Sequence, residues 1–280
     1  MAVPRPASGR RRRCGGGDDD GAAAAGTSGR DGVSVAVTVL GSSGTHPSPG
    51  RVCSGYLVES EGFRLLLDAG NGSLSNLPCD VAELDAVIVS HLHADHCVDL
   101  FGLNYALRFH PAGPRSVPVY APAGAHAHLE QLLPSGDSGL GDHLGFASAT
   151  AGDTLELGPM RVRLHAMNHP IETIASRIEV ADRVVAFSGD TAATDALVDC
   201  GREADLLICE ASWATADGPF PPGIHLTGTE AGQHADEAAA ARLLITHVFP
   251  SYRPEEIAAE AARAYSGEVR VANDREEHVL

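Results

Sequence analysis

Residues Ser90 to Cys97 read SHLHADHC, three histidines and an aspartate within eight positions, directly after the apolar run Leu84 to Ser90. Imidazole nitrogen and carboxylate oxygen are donors that zinc, manganese and iron accept, and donors this close in sequence are ordered at little entropic cost. His91 and His93 stand two apart at a strand end, where extended backbone would turn both rings to one side. Asp95 and His96 follow on the turn into the next helix. The chemistry to expect is metal binding rather than solvated loop histidines.

Three further candidates each close a strand. His169 in MNHP follows Met160 to Met167, Asp190 in FSGDT follows Arg183 to Phe187, and His247 in LLITHVFP follows Arg242 to Thr246. His165 lies on the same stretch as His169 and competes with it, although strand alternation sets it among the arginines of MRVRLHAM. Five histidines and two aspartates are the complement that two cations need if one aspartate bridges them.

The elements that must position these side chains are short. Val33–Leu40, Gly55–Ser60, Phe63–Asp68 and Leu84–Ser90 are β-rich runs split by Gly, Ser, Pro and Asn, which reads as a β-meander. Val117–Tyr120, Met160–Met167, Ile174–Val180 and Arg183–Phe187 add strands, the last three forming a second sheet. Helical stretches cover Asp99–Phe109, Ala125–Leu133, Thr194–Gly201, Glu230–Ala241 and Glu255–Ala264, with short strands at Asp205–Cys209, Arg242–Thr246 and Glu268–Val271 between the later ones. The expected fold is α/β, a four-layer αβ/βα sandwich with two sheets back to back, helices outside and loops along one edge. Pro134–Asp153, without a clear period, reads as a surface loop.

Composition narrows the function classes. Residues 1–31 string Arg10–Arg13, Gly15–Gly17, Asp18–Asp20 and Ala22–Ala25 together without periodicity, and are expected to be a disordered tail before one domain over 32–280. No apolar segment follows the four arginines as an export signal would require, so a cytoplasmic address is expected, and no run is long enough to span a membrane. The net charge is −17, and the tail is not its source: residues 1–31 hold six Arg and four Asp, leaving 14 Arg against 33 acidic residues. Such a surface repels polyphosphate, so a small anionic substrate is expected and a large nucleic acid is not. Six scattered cysteines without a C-x-x-C pair read as reduced, small apolar residues.

The order SHLHADH, NHP, SGDT, THVFP resembles the metallo-β-lactamase superfamily, in particular its phosphodiesterase and ribonuclease Z-like branch. The likeness runs from Val33 to about Val271 and implies one metal on His91, His93 and His169, another on Asp95, His96 and His247, and Asp190 bridging. A T-P-G-H turn, usual in the lactamase, glyoxalase and lactonase branches, is absent, and AMNHPIETIASRIE stands in its place. Ribonuclease Z carries a tRNA-clamping arm between the third histidine and the bridging aspartate, whereas His169 and Asp190 here are 21 positions apart. CEASW, PPGIHLTGTEAG and LLITHVFP are similar to the atypical cyclic-AMP phosphodiesterases of mycobacteria within this branch.

That resemblance implies a phosphoric diester hydrolase with two divalent ions, Zn²⁺ first and Mn²⁺ or Fe²⁺ as alternatives, cleaving 3′,5′-cyclic nucleotides to 5′-monophosphates by attack of metal-activated water at phosphorus. It also implies catalytic roles for Asp95, which would steady the attacking water, for His225, which would protonate the leaving oxygen or hold a phosphate oxygen, and for Glu210, which would orient His225. Ribonuclease Z-like RNA processing without the arm is the first alternative, and a thioesterase or lactonase the second. A homodimer is compatible with either. Trp213 reads as core before it reads as a base-stacking surface, and His46 as part of an ordinary turn.

Overall fold

Val35, Val37 and Val39 alternate at almost complete burial, and Leu65, Leu66 and Leu67 are buried in succession, the pattern of strands covered on both faces. The structure, a computed structural model, describes residues 33–133 and 139–280, so the tail expected over 1–31 lies outside the described residues. One sheet holds β1 (Ala36–Gly41), β2 (Gly55–Ser60), β3 (Phe63–Leu67), β4 (Ala86–Ile88), β5 (Val117–Ala121) and β6 (Leu144–Ser148). The other holds β7 (Thr154–Leu157), β8 (Met160–Ala166), β9 (Ile174–Val180), β10 (Arg183–Phe187), β11 (Leu206–Glu210), β12 (Arg242–Thr246) and β13 (Glu268–Val271). A last strand, β14 (Glu277–Val279), returns to the first sheet beside β1, giving the orders β14-β1-β2-β3-β4-β5-β6 and β13-β12-β11-β10-β9-β8-β7.

Each sheet begins with antiparallel pairs and ends with parallel ones, at β3–β4–β5–β6 in the first and β10–β11–β12–β13 in the second. Between the sheets lies a core that includes Val37, Tyr56, Leu65, Ile88, Val162, Ile178, Val185, Ile208 and Leu244. Helices α1 (Ala94–Cys97), α2 (Asp99–Arg108) and α3 (Ala125–Glu130) belong to the first half, where Leu100, Leu103 and Leu107 of α2 bury one helical face against the sheet. Helices α4 (Asp195–Gly201), α5 (Gly228–Glu237) and α6 (Pro254–Ala264) belong to the second half, and residues of all three pack on its sheet. A Cβ at Gly228 or Gly232 would come within 2.5 or 2.4 Å of a backbone oxygen of α6, so the glycines of LTGTEAG let two helices approach to backbone contact. The architecture is the expected α/β sandwich.

Four local readings change. The meander stops at β3, because β4 pairs with it in parallel and a parallel pair needs a crossover. That crossover runs over the helix side of the sheet, where Leu74, Leu77 and Val81 pack. Helix α5 ends at Glu237 rather than Ala241: Ala239 takes a φ of 51° and Ala241 hydrogen-bonds to Ala204, so the chain leaves the helix in spite of its alanines to enter β12. The expected loop 134–153 contains β6, whose Leu144 is buried, while 134–138 lie outside the described residues. Strands β7 and β14 carry too few residues for a period to show in the sequence.

Candidate metal centre

The functional candidates gather at one end of both sheets, beyond the C-terminal ends of β3, β4, β8, β10, β11 and β12. Parallel strands expose unpaired backbone and short loops there, which is why α/β sheets place sites at that end. The local fold is tight. A Cβ at Gly70 would stand 2.0 Å from the Asp95 carbonyl oxygen, so a glycine is required where the segment after β3 passes α1. Asp68 and His247, which close β3 and β12, adopt φ values of 59° and 54°. Left-handed backbone at a residue with a Cβ costs about 1 kcal/mol or more, and here it redirects two chains sharply at the site.

Two donor groups result. His91 Nε2 and His93 Nδ1 are 3.1 Å apart, and His169 Nε2 is 3.2 Å from the same His93 nitrogen. Asp190 Oδ2 lies 3.6 Å from His91 Nε2 and completes this group. In the second group His247 Nε2 is 3.2 Å from both His96 Nε2 and Asp95 Oδ2, and Asp190 Oδ1 stands 3.2 Å from His96 Nε2. Asp190 therefore turns one oxygen to each group, and Oδ1, although buried, takes part in no hydrogen bond. His169 is the histidine brought in, while His165 stays on β8 with a buried Nε2 that has no hydrogen-bond partner.

Residues behind the rings fix which nitrogen faces inward. His169 Nδ1 donates to the Ile224 carbonyl at 2.8 Å, and His96 Nδ1 donates to Asp68 Oδ2 at 2.6 Å. His91 Nδ1 meets Ser90 Oγ, and His247 Nδ1 meets Ser212 Oγ, each at 3.0 Å. A proton held on the outer nitrogen leaves the inner lone pair for the centre. Lone pairs converging at 3.1 to 3.2 Å match the edge of a tetrahedral coordination shell, roughly 3.3 Å for metal–nitrogen bonds near 2.05 Å. The donor set thus fits two divalent cations, and Asp190, with one oxygen toward each group and Oδ1 without a hydrogen-bond partner, is placed as a carboxylate shared by both would be.

Charge points the same way. Burial lowers His91 well below the usual imidazole range, and lowers His93 and His169 as well. For His96 burial acts downward but is outweighed by Asp190 and Asp68, which hold it well above. Burial would raise Asp190, yet His247, His96 and His91 keep it well below the carboxylate range. Except at His96, these directions favour the unprotonated forms in which imidazole and carboxylate ligate a cation.

Beside it stands His225, whose Nδ1 is 2.9 Å from Glu210 Oε1 and 3.9 Å from Asp190 Oδ2. Burial pulls this imidazole down, but Glu210 and then Asp190 push it up to about 9, so it carries its proton at neutral pH. Glu210 is fully buried and accepts from the Thr191 and Leu226 amides, from His225 and from the Ser212 hydroxyl, a full set of partners for a buried carboxylate. Trp213 is 8% exposed, stacked on Phe220 and edge-on to His225, a wall of the site rather than an open shelf. His46 remains on an exposed turn, but its neighbour Thr45 donates its amide to Asp95 Oδ2 at 2.8 Å.

Sequence reasoning missed Asp68, Ser90 and Ser212, which touch no reacting atom but set the rings of His96, His91 and His247. Asp68 left one sign: an aspartate directly after the apolar run Leu65–Leu67, next to the strand that leads into SHLHADH. It accepts from the Ser90 amide and from the Ser90 and Ser54 hydroxyls besides His96.

Comparison with known proteins identifies the family and the fold. The profile of the beta-lactamase superfamily domain matches residues 63–248. An uncharacterized protein of Mycobacterium tuberculosis is 36% identical over 245 residues, covering 85% of this chain and 89% of its own. The crystal structure of the metallo-beta-lactamase fold protein YhfI from Bacillus subtilis superposes with a TM-score of 0.78 at 30% identity, over 87% of this chain and 99% of that one. Ribonuclease Z of Haloferax volcanii is 26% identical over 302 residues, 86% of this chain and 94% of the relative.

Proposed function

The chain belongs to the beta-lactamase superfamily, a metallo-hydrolase related to ribonuclease Z, and from that premise we propose that it hydrolyses 3′,5′-cyclic nucleotides, cAMP foremost, to nucleoside 5′-monophosphates. His91, His93, His169 and one oxygen of Asp190 would hold one cation; Asp95, His96, His247 and the other oxygen would hold the second. The nitrogen-rich donor set suits zinc. When bound, the pair supplies Lewis acidity toward water and toward the phosphoryl oxygens.

The rest falls to side chains of the protein. Asp95, pinned by the Thr45 amide, can hold the attacking water by one of its protons. Water oxygen bonds to phosphorus as one of its protons passes to solvent, the bond from phosphorus to the 3′ oxygen breaks, and His225 gives that oxygen a proton. Glu210 keeps His225 aimed through Nδ1, which leaves Nε2 for the substrate. The observation that carries this reading is the His225–Glu210 pair beside Asp190, because an alkoxide leaving group needs a positioned acid at that place. The preference for cAMP rests on the resemblance of the CEASW, PPGIHLTGTEAG and LLITHVFP segments.

A second reading, RNA 3′-end processing, is favoured by the 26% identity to a ribonuclease Z. Two features speak against it. The span from His169 to Asp190 is taken up by the β9–β10 hairpin, without room for a clamping arm, and the net charge of −17 opposes a polyanion. The test is to incubate purified protein of measured metal content with cAMP, cGMP, 2′,3′-cyclic nucleotides, a tRNA precursor, a thioester and a lactone. Conversion of cAMP to 5′-AMP is expected; cleavage of the precursor alone would transfer the assignment to RNA processing, and cleavage of thioesters or lactones alone to acyl chemistry.

A further inference from the structure

The loop that carries His169 is a ridge between two clefts. Asn168 lines a cleft of about 530 Å³ whose wall includes His225, Trp213 and Phe220. Ile171 and Glu172, two and three residues past His169, line another of about 310 Å³ together with Leu92, Pro122 and His93. The donor cluster touches both, through His225 on one side and His93 on the other. Resting on the phosphodiesterase reading, the geometry points to a second substituent site: the His93-side cleft takes the non-leaving arm of an acyclic phosphodiester, and that arm is uncharged and apolar or aromatic.

Three observations carry this. A 3′,5′-cyclic nucleotide has one ribose bearing both ester oxygens, so with its 3′ oxygen at His225 it occupies the larger cleft and leaves the smaller one empty. The smaller cleft is apolar next to a strongly polar centre: Leu92 sits between two donor histidines, and Ile171 is 37% exposed, a large aliphatic side chain facing water beside the site. Exposed apolar surface of that kind gains free energy when a ligand covers it. Finally, no arginine lines either cleft among the described residues, while Glu172 lines the smaller and Glu230 the larger. With Glu172 and two histidines, His93 and His128, as its ionisable lining, the smaller cleft offers a second phosphate no arginine to pair with, so a mixed diester fits better than a polynucleotide.

In such a substrate water oxygen bonds to phosphorus and the ester bond to the His225-side arm breaks. That arm leaves as an alcohol with a proton from His225, a proton from water passes to solvent, and the His93-side arm remains as a phosphate monoester. Bis(p-nitrophenyl) phosphate and methyl p-nitrophenyl phosphate share a leaving group and differ only in the arm that stays. They are compared in wild-type protein, Ile171→Asp, which places a charge in the cleft, and Ala123→Trp, which fills it from an exposed position. In both variants the ratio of kcat/KM for the diaryl ester to that for the methyl ester should fall about tenfold, mainly through KM. An unchanged ratio in both variants overturns the assignment, as does wild-type protein that hydrolyses cAMP but not the diaryl ester, which leaves the cyclic-nucleotide reading intact. Metal-loaded protein that cleaves neither overturns both.

Discussion

The two halves of the molecule supply the centre in opposite ways. The first sheet contributes His91, His93, Asp95 and His96 from one stretch of six residues that follows β4 and enters α1, whereas the second contributes His169, Asp190, His225 and His247 from four separated segments. Each half keeps one buried carboxylate behind its donors, Asp68 in the first and Glu210 in the second. Their reach differs. Asp68 holds His96 directly and His91 through the Ser90 hydroxyl, two rings of one short stretch. Glu210 holds His225 directly and His247 through Ser212, so it ties the proton donor to the cation site. The anchor of the contiguous half joins neighbours within one stretch, and the anchor of the dispersed half joins residues from separate loops.

The comparison breaks most completely at Asp190, where the halves meet. Asp190→Ala should remove cations from both groups and lower turnover on the order of 10³-fold or more, measured by elemental analysis and cAMP hydrolysis. Retention of two cations would detach Asp190 from the bridging role. Next come the two anchors. His225→Ala and Glu210→Gln should keep both cations and lower kcat by about 10²- to 10⁴-fold, the usual worth of a positioned acid. Asp68→Asn should instead weaken cation binding roughly 10- to 100-fold, read by competition with a chelator. If Glu210→Gln loses metal as Asp68→Asn does, the division between the halves is wrong.

A smaller effect isolates the link. Ser212→Ala removes the hydroxyl between Glu210 and His247, worth about 0.5–1.5 kcal/mol, and should weaken cation binding about two- to tenfold, with Ser212→Thr restoring most of it. The smallest contrast concerns thiols. Burial pushes Cys200 up to about 12, while Cys79 in the first half is half-buried. An alkylating reagent on native protein should modify Cys79 before Cys200, as peptide mass spectrometry would show; the reverse order would mean that the second sheet opens more readily than the first.

Much of the fold was readable because its strands and helices obey simple periods: MRVRLHAM alternates, and α2 repeats leucine at positions 100, 103 and 107. The readings that changed were tertiary in origin. Parallel pairing of β3 with β4, the short strands β6, β7 and β14, and the early end of α5 all depend on partners remote in sequence. The donors were legible for a related reason, since each closes a recognisable strand. Asp68 and Ser212 were not, because an aspartate or serine in a turn has ordinary local uses and acquires another only when a histidine from elsewhere meets it.

By itself, then, the chain's sequence determined the donor types, their places at strand ends and the acidic character of the surface, because these are properties of residue identity and local spacing. Only the tertiary structure decided that His169 Nε2 comes within 3.2 Å of His93 Nδ1, that Asp190 turns an oxygen to each group, and that Glu210 links two histidines 22 positions apart. Those outcomes are distances between side chains on different strands. They follow from how two sheets stack and which end their loops share, and no one-dimensional pattern encodes a distance of three ångströms.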